Sequence, residues 1–124
     1  MECIYKYTRA QAIADGYQYK VDDLVKDLSK EAGIIYPVFI TASVKEIIDE
    51  SLNYGCNDLE GVLWDIFTMF KLKAKNTQES FLNFEVFINC KNNKPNKFKF
   101  WAEIGATDFD NAEPSITIMT DEDL

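Results

Sequence analysis

Few side chains in this 124-residue chain could do chemistry: carboxylates, three thiols, and small groups of lysines and tryptophans, with histidine absent. Without histidine, Ser-His and Cys-His nucleophiles, His-ligated metals and His general bases are excluded. Carboxylate-only acid–base or metal chemistry remains, and nearby acids occur at Asp49/Glu50 and Asp108/Asp110. Neither pair has the spacing of a calcium-binding EF-hand loop, and both read as solvated faces and turns. Cys3, Cys56 and Cys90 are odd in number and scattered, without a C-x-x-C. That pattern argues for free thiols rather than a disulfide framework or a zinc site. The expectation is therefore a protein that is not an enzyme, with no catalytic residue, no metal and no cofactor.

Two other constellations invite binding rather than turnover. Residues 58–73 form the longest periodic run, and as a helix it gathers Leu59, Val62, Leu63, Ile66, Phe67, Met69 and Phe70 on one apolar face. Asp58 can cap its first turn, and Lys71, Lys73 and Lys75 suit the negative end of the helix dipole. Gly61, Trp64, Asp65 and Thr68 lie off that arc. A glycine inside a helix costs up to about 1 kcal/mol relative to alanine, so something approaches the backbone there: another element of the chain, or a ligand or partner. The second constellation is Lys97, Lys99 and Trp101, alternating along a strand opposite Asn83, Glu85, Phe87 and Asn89. Lysines interleaved with an aromatic can hold single-stranded nucleic acid. A half-buried strand with a charged outer face, or an edge guarded by lysine, explains the pattern more simply.

Charge weighs against nucleic acid as well. The formal net charge is −8: residues 1–70 carry −6, residues 71–99 carry +5, and residues 100–124 carry −7. A generic nucleic-acid binder would be basic, so the acidic surface serves solubility or a basic protein partner. With 47% hydrophobic residues and 14% aromatics the chain has the composition of one globular domain over residues 1–124. No apolar run approaches the roughly 20 residues of a membrane helix, and the N-terminus lacks a signal-peptide layout. The expected location is cytoplasmic, with no membrane partner.

The elements that must position these residues follow in order. Residues 1–7 read as an extended lead-in with Ile4 inward. Thr8–Gln11 has the form of a capping box opening a short helix that stops at Gly16. Asp22 or Asp23 starts a second helix through Leu24, Val25, Leu28 and Ala32, ended by Gly33. Residues 34–40 are extended, with Pro37 arguing against a central strand. Thr41 or Ser43 caps a third helix, Ser43–Glu46 forming another capping box, with Val44, Ile47, Ile48 and Leu52 inward. Residues 53–57 are loop.

Beyond Asn76 the period changes to two. Leu82, Phe84, Val86, Ile88 and Cys90 face inward on one strand; Phe98, Phe100, Ala102 and Ile104 do so on the next. Residues 91–96 and 108–111 are turns, Ser115–Met119 is a third strand, and residues 120–124 are a frayed acidic tail. The fold predicted is α+β: N-terminal short helices and one longer amphipathic helix packed on a C-terminal three-stranded antiparallel meander.

Four blocks carry a resemblance. Tyr7–Gly16, Ala32–Val38 with Ile40-Thr41, Gly61–Ile66 and Pro114–Met119 resemble successive parts of a family of small uncharacterised proteins carried by phages, plasmids and conjugative elements. The chain departs from that pattern in its low arginine content, with lysine and asparagine instead, as in an AT-rich genome. The family is a domain of unknown function and supplies no catalytic residues. What the resemblance implies is context: accessory factors that blunt host defence or assist transfer. The expected function is a non-enzymatic interaction protein of a mobile element, possessing a protein partner and a counter-defence role. The alternative is a small-molecule or nucleotide-binding module using the groove beside Trp64 and Asp65. Outward Trp101 and Phe87 make a homodimer unsurprising.

Overall fold

The computed structural model describes residues 8–54, 57–89, 94–108 and 111–124. Its elements in chain order are α1 (Arg9–Ala14), β1 (Gln18–Lys20), α2 (Val21–Leu24), α3 (Leu28–Glu31), β2 (Val38–Thr41), α4 (Ala42–Ser51), α5 (Leu59–Lys75), β3 (Phe81–Asn89), β4 (Pro95–Asp108) and β5 (Asn111–Met119). A 3-10 turn, Asp121–Asp123, closes the chain. Ile4, Cys3, Cys56, Cys90 and Asp110 lie outside the described residues, as do parts of the 53–57 loop and the 91–96 and 108–111 turns.

The strands form one five-stranded mixed sheet in the order β1-β2-β5-β4-β3, with β2 parallel to β5 and the other pairs antiparallel. This corrects the three-stranded meander expected of the C-terminal half alone: the N-terminal half contributes two strands. Neither has a readable period. β1 is three residues long, and all four residues of β2 are buried, so no alternation marks it. Pro37 does not exclude β2 from the sheet interior because it sits just ahead of the strand. Its missing N–H removes no ladder bond there, and its carbonyl accepts from the Ile116 N–H at 2.9 Å.

One face of the sheet carries the core. Leu82, Phe84, Val86, Ile88, Phe100, Ala102, Ile116, Ile118, Val38 and Ile40 meet Val62, Leu63, Ile66, Phe67 and Phe70 of α5 and Val44 and Ile48 of α4. Full burial of each large apolar side chain is worth about 1.5–3 kcal/mol, so α5 is the main anchor of the fold. Asp58 caps it, its carboxylate accepting from the Gly61 N–H at 2.6 Å. Met69 departs from the expected apolar arc and is 38% exposed. No helix among the described residues is long and apolar enough to cross a membrane.

Local chemistry bears out one expectation and corrects three others. Thr8 and Gln11 make the reciprocal capping box at α1, and Gly16 follows with φ +82°. The expected second helix is instead broken into α2 and α3: Val25 is extended and Asp27 is left-handed at φ 60°. Asp22 then accepts from both the backbone N–H and the hydroxyl of Ser29, tying the halves together. At α4 the residue Thr41 stands at the N-cap without a side-chain cap bond, and the expected Ser43–Glu46 box does not direct the Ser43 hydroxyl. Both hydroxyls donate to Asp123, at 2.7 and 2.6 Å. The C-terminal residues are thereby pinned rather than frayed.

Candidate functional site

The face of the sheet opposite the core divides into two halves. Over β1, β2 and β5 it is covered by Arg9, the only arginine of the chain. The guanidinium lies 4.0 Å above the centre of the Phe39 ring. Its Nε donates to the Thr107 carbonyl at 2.6 Å, Nη1 to Gln18 Oε1 at 2.8 Å, and Nη2 to Thr117 Oγ1 at 2.9 Å. Asp108 meanwhile accepts from the Arg9 backbone N–H at 3.0 Å. Burial lowers the Arg9 pKa from its usual value, while Asp108 and Glu103 oppose the shift. A planar five-donor fork is what such a site requires; a lysine ammonium cannot reach these acceptors together.

Over β4 and β3 the same face is open. The register sets Trp101 opposite Asn83, Lys99 opposite Glu85 and Lys97 opposite Phe87, all on the outer face that the alternation predicts for them. Trp101 stacks on Phe81 with ring centres 5.0 Å apart and planes at 15°, and Lys99 Nζ lies 5.0 Å from the Trp101 ring centre. Lys97 and Glu85 make an exposed ion pair at 3.6 Å. The Trp101 indole N–H donates to Asp121 in the closing turn. Phe81 remains 41% exposed and Phe87 62% exposed. Phe81 and Asp121 were not singled out from sequence. Phe81 shares the parity of Asn83 and Phe87, which is a readable signal; the Asp121 contact depends on a turn that the acidic composition hides.

Among the described residues β3 is also an open edge of the sheet. The Ile104 N–H donates to the Ser80 carbonyl at 2.7 Å, so these two residues form a hydrogen-bonded pair. Alternation along an antiparallel ladder then turns the backbone groups of Leu82, Phe84, Val86 and Ile88 toward β4. Those of Phe81, Asn83, Glu85, Phe87 and Asn89 point away from the sheet. Asn57 Nδ2 donates to the Asn89 carbonyl at 2.7 Å and so closes that end of the edge. Beside the edge, Met69, Leu72 and Lys73 of α5 line a groove with Asn83, Phe84 and Glu85.

The other predicted residues sit across the sheet, on the exposed side of α5. Gly61, Trp64 and Asp65 line a groove with Glu31, Asn57, Asp58, Glu60 and Asn89. Trp64 is 41% exposed, so no element of the described chain covers it fully. The glycine has a local reason: a Cβ at Gly61 would lie 2.7 Å from the capping Asp58 Oδ1. Desolvation raises the Asp65 pKa from the ordinary carboxylate value. Thr68 donates to the Trp64 carbonyl at 2.8 Å and lines the neighbouring apolar groove with Ile35 and Tyr36. The seven residues therefore belong to two surfaces, with Lys97, Lys99 and Trp101 on one and Gly61, Trp64, Asp65 and Thr68 on the other.

A third cluster joins α4, β5 and the closing turn. Burial acts to raise the Asp123 pKa, but bonds from the Ser43 hydroxyl, the Thr120 N–H, and the Thr41 and Thr120 hydroxyls prevail and hold it below the usual value. One member of each acid pair considered for chemistry is engaged structurally: Asp49 pairs with Lys45 at 2.9 Å, and Asp108 accepts from the backbone at the start of α1. Comparison of the chain with protein-family models, curated proteins and solved structures returns no match.

Proposed function

We propose that this protein is a non-enzymatic binding module that takes a protein partner on the open outer face of the β3–β4 hairpin. One observation carries the reading: Phe81 and Phe87 present aromatic surface to solvent on the outer face of the hairpin, with the half-buried Trp101 stacked on Phe81 and Lys97 and Lys99 beside them. Aromatic side chains held rigidly on a sheet supply contact area at low entropic cost, and they dominate most measured interfaces. The mixed charge around them, with Lys97 on Glu85 and Lys99 over Trp101, favours a protein surface over a phosphate backbone. The wider setting rests on the sequence resemblance alone: a cytoplasmic accessory factor of a mobile element that engages a host or element-encoded protein in counter-defence.

The nucleotide alternative is disfavoured by charge. Among the described residues the groove beside Trp64 is lined by Glu31, Asp58, Glu60 and Asp65 and by no basic side chain, which disfavours phosphate. The test is an affinity capture from host extract with wild-type protein and a Trp101→Ala/Phe87→Ser variant, in low and high salt. A protein retained by the wild type at both salt levels and lost by the variant supports the hairpin face. Identical capture by both forms removes it.

A further inference from the structure

We propose that the free edge of β3 pairs with the β3 of a second copy of this chain, joining two sheets into one of ten strands. This deepens the reading above, since the edge belongs to the same hairpin. A nine-residue edge strand with outward-pointing backbone groups is a template for strand addition, and natural proteins usually blunt such edges. Among the described residues the edge is closed at one end only, where Asn57 donates to the Asn89 carbonyl. The segment left available is Phe81–Phe87.

That segment is complementary to itself in one antiparallel register. With the two-fold axis at Phe84, the outward-pointing residues fall opposite one another as Phe81 with Phe87 and Asn83 with Glu85, each twice. The exposed phenylalanines then cover each other, the asparagine amide can donate to the carboxylate, and no like charges meet. On the core side Leu82 falls opposite Val86 and Phe84 opposite its own copy, beside the exposed Met69 and Leu72 of α5. The neighbouring register, centred on Glu85, would set that carboxylate against itself. All four outward-pointing residues of the free segment are used, and Asn89, already bonded, is left outside.

Sedimentation equilibrium of the full chain tests this. Wild-type protein is expected to rise with concentration toward twice the chain mass of 14.3 kDa. Glu85→Pro removes an outward-pointing N–H without removing a bond to β4, and should weaken the dimer about tenfold or more. Phe87→Lys, an exposed substitution that spares the fold, should do the same if the proline variant folds poorly. A wild-type protein that stays at one chain mass up to about millimolar concentration overturns the proposal, as does a dimer unchanged by both variants. A monomer that takes an extended peptide from another protein on the same edge also overturns it. Trp101-dependent capture of a host protein by a monomeric chain would leave the hairpin reading standing while this one fails.

Discussion

The two halves of the outer sheet face are built from similar material and end differently. Over β1, β2 and β5, polar side chains and Phe39 are sealed by one arginine whose fork satisfies four acceptors. Over β4 and β3, aromatic and charged side chains satisfy one another in pairs and stay in contact with solvent. The contrast shows how a small sheet separates stability from availability. The Arg9 half cannot be opened without stranding hydrogen-bonding groups, whereas the hairpin half can exchange water for a partner at little structural cost.

The contrast can be broken most severely at Arg9. Arg9→Ala should cost about 2–4 kcal/mol in denaturant unfolding, because Gln18, Ser115 and Thr117 lose a charged donor in a partly buried site. Arg9→Lys should recover only part of this, since an ammonium cannot bridge the same set of acceptors. Full recovery by lysine would mean that charge alone matters there.

The closing turn comes next. Asp123→Asn should cost about 1–2 kcal/mol at pH 7, since the partners of the carboxylate include the nearly buried Thr41 and Thr120 hydroxyls. The folded pKa of Asp123 lies below its unfolded value. Its contribution is therefore present above the ordinary carboxylate range, about pH 4, and lost as pH falls through the folded value. The difference between wild type and variant should shrink over that window in acid-unfolding curves. Asp65 has the opposite sign: burial favours its neutral form, so its contribution is present below the ordinary carboxylate value and lost as pH rises from there through the raised folded value. Asp65→Asn should remove that opposing slope.

The hairpin half should respond in the other direction. Phe87→Lys should change monomer stability by less than about 1 kcal/mol while altering association strongly. The smallest effect is expected at Gly61→Ala. Helix propensity gains up to about 1 kcal/mol and the crowded Asp58 cap loses a similar amount, leaving thermal stability nearly unchanged.

What the sequence revealed follows where periodicity was strong. The amphipathic run of α5 and the alternation of β3 and β4 carried enough residues to fix element type and even the shared outer face of Lys97, Lys99 and Trp101. β1 and β2 carried too few: three residues and a fully buried four have no period, so their entry into the sheet depended on tertiary pairing with β5. Proline was read as a barrier to a central strand when it marks only where β2 begins. Ser43 and Thr41 have the composition of helix caps, but a carboxylate some 80 residues away in sequence outcompetes the local backbone for their hydroxyls. At the site, Gly61 was read as a place where another element, a ligand or a partner approaches; the group that crowds it is instead the helix's own cap, Asp58.

Amide hydrogen exchange along β3 tests the central claim most directly. At a concentration where the chain is monomeric, the amides of Leu82, Phe84, Val86 and Ile88 should be protected, while those of Phe81, Asn83, Glu85 and Phe87 exchange quickly. Protection of both sets in the monomer would mean that the edge is already covered and that the hairpin half is not open.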